Sequence, residues 1–297
     1  MSQANNKEAK RRILRVSLRA LMVLVALLCL PLAWWANKAQ VQKETVFRLR
    51  ELGNEVIYRH DTDVGGKGKV DAPEWLVDLL GIDFFSTPTV LYLSVCTNDD
   101  LLAASRLKHV RKITLLDKRA DELSPLKRMK LDKLILFNST ITKAGPLAEL
   151  ENLEFMWLNS PQFVDVSPFK KLKKFNRLHL SGEFAFEISG LAELEGLKTL
   201  RIINRQSPFD SESLGDLQNL EFLWLQNVRV DHIEWGKDLK QLKKVTIRQT
   251  AINDLSPLAE LKNLEKVDIG RRNSGLDKSD VAELQKALPS CKVSHAW

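Results

Sequence analysis

An apolar spacing of one position, a second three residues later and a third two residues after that recurs nine times. The copies begin at Pro88, Val110, Leu131, Leu153, Phe175, Leu197, Leu220, Leu242 and Leu264, at intervals of 22, 21, 22, 22, 22, 23, 22 and 22 residues. Leu131-x-x-Leu134-x-Leu136 is a clear copy and Pro88-x-x-Leu91-x-Leu93 a weaker one. Alternation over so short a segment specifies a strand with one buried face. A second apolar group follows each strand, as in Leu255, Leu258 and Leu261. No unit of this size can bury its own apolar face, so the units must stack and share one core. That is a solenoid, with its strands forming a parallel sheet on the concave side. Ser124-Pro125, Gly145-Pro146, Ser167-Pro168 and Ser256-Pro257 stand in the second half of several units. There proline fixes φ and can start a short helical turn on the convex side.

The pattern, with segments such as Ile252–Leu264 (INDLSPLAELKNL), resembles the leucine-rich-repeat proteins of the short bacterial type, similar to the internalin-like class, over about residues 88–293. The resemblance implies an α/β solenoid that binds a partner through its concave face. One departure concerns the asparagine position of many repeat families, where Ser139, Pro161, Glu183 and Val228 stand here and Thr250 keeps a small polar group. An asparagine ladder is therefore not expected. Ser279–Leu288, Pro289 and Lys292–Val293 resemble a terminal helix and strand that close the core.

Ahead of the repeats, Ala20–Ala36 (ALMVLVALLCLPLAWWA) is 17 residues without a charge, at the short end of a bilayer span. Basic residues precede it, and Trp34 and Trp35 end it with side chains that favour the headgroup boundary. The formal charge of +7 is concentrated here: residues 1–38 carry +6, leaving +1 for the remainder. A body so nearly neutral argues against nucleic acid as partner. More positive charge before the span than after it favours a cytoplasmic N-terminus and an exported body. A cleaved signal peptide is the competing reading, although bulky Trp34 at position −3 before Asn37 fits cleavage poorly. The expected organisation is a basic tail (1–19), a signal anchor (20–36), a juxtamembrane helix and N-terminal cap (37–87), repeats (88–277) and a C-terminal cap (278–297).

Within the cap, residues 38–52 read as a helix ending at Gly53, Glu55–Arg59 as a strand, and Pro73–Gly81 as a second helix burying Trp75, Leu76, Leu79 and Leu80. The intervening HDTDVGGKGKVD lacks the Ser/Thr of a phosphate loop. It also has Ala72 where a calcium loop needs its bidentate Glu, so it reads as a solvated turn.

Residues two, four and six after each pattern start point out from the concave sheet. In the middle strands these include Phe137, Phe155, Trp157, Arg177, His179, Arg201, Phe222 and Trp224. The pairs Phe155/Trp157 and Phe222/Trp224 stand three strands apart, ~14 Å at about 4.8 Å per strand. An exposed apolar patch holding basic residues commonly marks a binding surface. These eight residues are the expected partner site, with aromatics supplying contact area and the basic groups pairing carboxylates. The alternative is that neighbouring aromatics simply cover one another on the solvent side of the sheet.

The histidines, His60, His109, His179, His232 and His295, are dispersed, and no catalytic motif surrounds them. Cys29, Cys96 and Cys291 form no metal-type pair. No enzymatic activity, cofactor or metal is expected. The expected partner is a protein or peptide ligand, with envelope polysaccharide as the alternative, and the membrane is met through residues 20–36.

Overall fold

The computed structural model describes residues 18–61, 70–94, 97–116, 123–138, 145–159, 166–182, 189–191, 193–204, 211–230, 232–270 and 275–296. The basic tail before Leu18, the centre of the HDTDVGGKGKVD loop, Cys96, Ser139, Pro161 and Glu183 lie outside these residues.

A single helix, α1 (Leu18–Glu51), runs through both the expected span and the expected juxtamembrane helix, with Pro31 inside it. Its two halves obey different rules. The apolar half is bare: Met22, Leu27, Leu30 and Trp34 are all exposed. The second half buries Ala39, Gln42, Thr45, Val46 and Leu49 against the solenoid, positions three and four apart that share one helix face. Gln42 Nε2 donates to Asp83 Oδ1 at 3.0 Å and to the Ser86 carbonyl at 2.8 Å. The Trp35 ring lies 4.4 Å from that of Phe84. Gly53, at φ 78°, takes the left-handed conformation that ends the helix, as expected.

Strand β1 (Glu55–Tyr58) follows, then helix α2 (Glu74–Leu80), which ends at Gly81 with φ 87°. The expected buried face of α2 is a correction. Trp75, Leu79 and Leu80 are exposed and Leu76 is only half-buried. The helix packs on the Ile82–Phe84 turn beside α1, and with only two turns it does not reach the core.

The repeats then build the sheet in register: β2 (Pro88–Leu93), β3 (Lys112–Leu115), β4 (Lys133–Phe137), β5 (Phe155–Asn159), β6 (Arg177–Gly182), β7 (Thr199–Asn204), β8 (Phe222–Gln226), β9 (Lys244–Arg248), β10 (Lys266–Ile269) and β11 (Lys292–His295). The sheet has 11 strands in sequence order; β2 to β11 are parallel and β1 pairs antiparallel with β2. This is a leucine-rich-repeat solenoid. The expected register holds, with the second and third apolar positions of each pattern inside its strand, because a one-residue slip would turn every core leucine to solvent. Leu134, Leu178, Leu200 and Val267 are fully buried, and one apolar core runs from Val46 in α1 to Cys291 beside β11.

On the convex side, Ser124–Arg128, Gly145–Glu149, Ser167–Lys171 and Ser256–Glu260 are single 3-10 turns, as their prolines suggested. The first repeat departs, carrying helix α3 (Asn98–Ala104) instead. A reciprocal Thr97–Asp100 box caps α3, and Arg48 of α1 reaches Asp100 at 3.4 Å. The far end is closed by α4 (Lys278–Ala287), capped in the same way by Asp277 and Asp280, and by β11. A periodic detail was not legible from composition: Asn138, Asn227 and Gln249, each seven residues after its pattern start, have positive φ. At two of these bends the amide donates onward, Asn138 to Asn159 and Asn227 to Arg248.

Candidate functional site

The ladder sorts the concave side chains into rows. One row aligns Ile135, Trp157, His179, Arg201, Trp224 and Thr246. Beside it run Lys133, Phe155, Arg177, Thr199, Phe222 and Lys244. That second row extends to Lys112 at one end and to Lys266 and Lys292 at the other, and no carboxylate stands in it. A third row places Phe137, Asn159, Ser181, Ile203, Gln226 and Arg248 side by side.

All eight expected residues therefore share one face, but they form two groups. Over β4 to β6, Phe137 meets Trp157 edge-on at 4.8 Å and Phe155 meets His179 at 4.8 Å with perpendicular rings. Trp157 and His179 are 6.0 Å apart, and the Trp157 indole donates to Ser181 Oγ at 3.0 Å. Arg177 lies 5.9 Å from the Phe155 ring and 3.8 Å from Glu154. Edge-to-face geometry of this kind is the favoured arrangement of aromatic pairs.

Over β7 to β9, Trp224 is held between two guanidinium groups, Arg201 at 4.3 Å and Arg248 at 4.9 Å from its ring centroid. Stacking of this kind places positive charge over the negative face of the indole. Arg248 also bonds Asp268 at 2.8 Å, which neutralises it locally. Arg201 has no ion-pair partner among the described residues, and its buried Nε makes no hydrogen bond. Burial and the neighbouring Arg248 charge both lower its pKa. A half-buried guanidinium without a carboxylate is costly to maintain.

His179 departs from the expectation that it pairs carboxylates. Burial, then Arg201 and Arg177, pull its pKa down to about 4, so the ring is neutral at pH 7 and serves as an aromatic contact. Arg248 was missed among the expected residues. The available signal was its position, six residues after the Leu242 start, in line with Phe137.

The other histidines lie elsewhere: His60 bonds Ser86 Oγ at 2.8 Å, and His232 faces Glu234 at 2.6 Å on the convex side. Among the described residues no group of three or more His, Cys, Asp or Glu gathers as a metal site would require.

No protein-family model matches the chain, and no curated protein matches it. Among solved structures it is similar to an internalin of Listeria monocytogenes, at 21% identity over 67% of this chain and 66% of that one, with a TM-score of 0.49. Internalin C2 of the same species is 26% identical over 62% of this chain and 80% of its own, with a TM-score of 0.46. A leucine-rich-repeat protein of Leptospira interrogans is 17% identical over 65% and 56%, with a TM-score of 0.48. The chain spans just under two thirds of the length of the first of these and more than half of the third.

Proposed function

We propose that the chain is a membrane-anchored ligand-binding module whose concave face recognises an acidic protein or peptide. The single observation carrying this reading is Arg201, a half-buried cation stacked on Trp224 and lacking any described carboxylate partner. The basic row from Lys112 to Lys292 extends a positive field along the same face. Phe137, Phe155, Trp157, Arg177, His179, Phe222 and Trp224 complete the surface. Aromatic and arginine side chains of this kind concentrate binding energy at interfaces.

The anchor is the apolar half of α1, which is long and apolar enough to cross a membrane and of which only 6% is buried, unlike the core helix of a soluble protein. Trp75, Leu79 and Leu80 add exposed apolar surface on α2, which packs on the Ile82–Phe84 turn whose Phe84 ring lies against Trp35. The charge bias supports a cytoplasmic N-terminus and exported repeats.

Peptide display against the full chain in nanodiscs tests the ligand class. Enriched peptides should carry carboxylates and lose at least tenfold in affinity on the Arg201→Ala/Trp224→Ala double variant. Equal binding to that variant would overturn the reading. A second reading, envelope polysaccharide, is favoured by the uncharged Phe137/Trp157 pair, whose rings could stack on sugars; glycan arrays would find it, with Trp157→Ala as the decisive variant.

A further inference from the structure

We propose that a cleft at the foot of the solenoid holds the headgroup of an anionic phospholipid. The proposal rests on reading the apolar half of α1 as a membrane span. The cleft, of about 510 Å³, opens between the end of that apolar stretch and the Arg106–His109 turn that follows α3. Three cations line it: Lys38 from α1, and Arg106 and Lys108 from the turn. Lys38 Nζ donates to His109 Nε2 at 3.1 Å and lies 5.8 Å from the Trp34 ring.

The acceptor holding Lys38 is thus an imidazole and not a carboxylate. Burial, followed by Lys38, Arg111 and Arg59, lowers the His109 pKa, so its ring stays neutral and keeps its lone pair for the ammonium. Among the described residues no carboxylate forms an ion pair with Lys38, Arg106 or Lys108. The nearby Arg111, by contrast, is matched by Asp132 at 3.6 Å. Three uncompensated cations at one cleft favour a phosphate.

Apolar residues line the same cleft, Trp34 and Val41 from α1 and Leu107 from the turn, and along α1 the apolar surface continues into exposed Leu30. A soluble phosphate would leave that apolar surface in water. A lipid would cover it with acyl chain while its phosphate meets the cations at the depth where Trp34 marks the headgroup region. Shared phosphate chemistry and an apolar extension together specify an amphiphile.

Native mass spectrometry of the full chain in detergent, titrated with dihexanoyl phosphatidylglycerol, dihexanoyl phosphatidylcholine or inorganic phosphate, tests the site. Phosphatidylglycerol should be retained in preference to phosphatidylcholine, and Arg106→Gln/Lys108→Gln should weaken it about fivefold per charge removed. Both side chains are exposed, so the double variant should keep the wild-type circular dichroism and melting curve. Equal retention of the two lipids, unchanged phosphatidylglycerol affinity in the double variant, or displacement by equimolar inorganic phosphate would each overturn the site. Co-sedimentation with pure phosphatidylcholine vesicles separates the two readings. A chain left in the supernatant overturns the anchor and this site together, whereas insertion without phosphatidylglycerol preference overturns the site alone.

Discussion

The two aromatic clusters on the concave sheet are built from the same residue types on the same scaffold, yet they differ in charge. Over β4 to β6 the contacts are ring against ring, His179 is neutral, and Arg177 has Glu154 nearby. Over β7 to β9 a single ring is gripped by two guanidinium groups, and Arg201 meets no acid among the described residues. The lesson is that an aromatic side chain on a solenoid face takes its chemistry from the adjacent strands. One cluster is largely self-satisfied, and the other is chemically incomplete.

The comparison makes its largest prediction beneath the surface, where the clusters should be alike. Leu178→Ala under the first and Leu223→Ala under the second each empty a buried core position and should cost about 2–5 kcal/mol in chemical denaturation. A large disparity would show that the halves differ in the core as well. Above the sheet they should diverge. Arg201→Ala or Trp224→Ala should each weaken an acidic ligand by about 2 kcal/mol, with a loss that shrinks as salt is raised. Trp157→Ala should show a smaller loss with little salt dependence. Isothermal titration at two ionic strengths measures both.

Acid separates the clusters next. Because the folded state holds the His179 pKa at about 4, below the ordinary 6.5, the unfolded chain takes up a proton first as pH falls. This site should therefore remove stability between pH 6.5 and about 4 and change nothing above that window. His179→Gln should flatten that part of the profile, as followed by melting temperature against pH, and Arg201→Gln should flatten it only in part, because burial is the larger cause of the lowered pKa and the Arg201 charge the next. The smallest effects concern the indole hydrogen bonds. Ser181→Ala removes the buried hydroxyl that accepts from the Trp157 indole and should cost about 1 kcal/mol. Gln226→Ala removes the longer 3.2 Å bond of the Trp224 indole and should cost about 0.5 kcal/mol.

Strand order, register and the identity of the concave residues were all legible in the spacing, because a repeated alternation permits only one stacking that buries every leucine. The eight expected surface residues fell on one face for the same reason. What the spacing could not carry was the state of each group. The neutrality of His179 depends on its burial, on Arg201 one strand away and on Arg177 of its own strand, and the role of Arg248 depends on a ring contributed by the preceding repeat. Helix α2 shows a second kind of limit. Apolar residues at helical spacing announce a face that avoids water without saying whether protein covers it, so spacing alone places Trp75 and Leu79 in a core they do not reach.

The unbroken course of α1 has a mechanical meaning. Its second half is built into the first repeat through Val46 and Leu49, and no linker separates that half from the apolar half. A pull on the concave face is therefore delivered to the apolar segment as torque, as a sail loads its mast, with no swivel to absorb it. The weak point of the mast is Pro31, which has no N–H to give to the helical ladder. Bending under load should concentrate there, so that the repeat body and its helical foot tilt together as one lever.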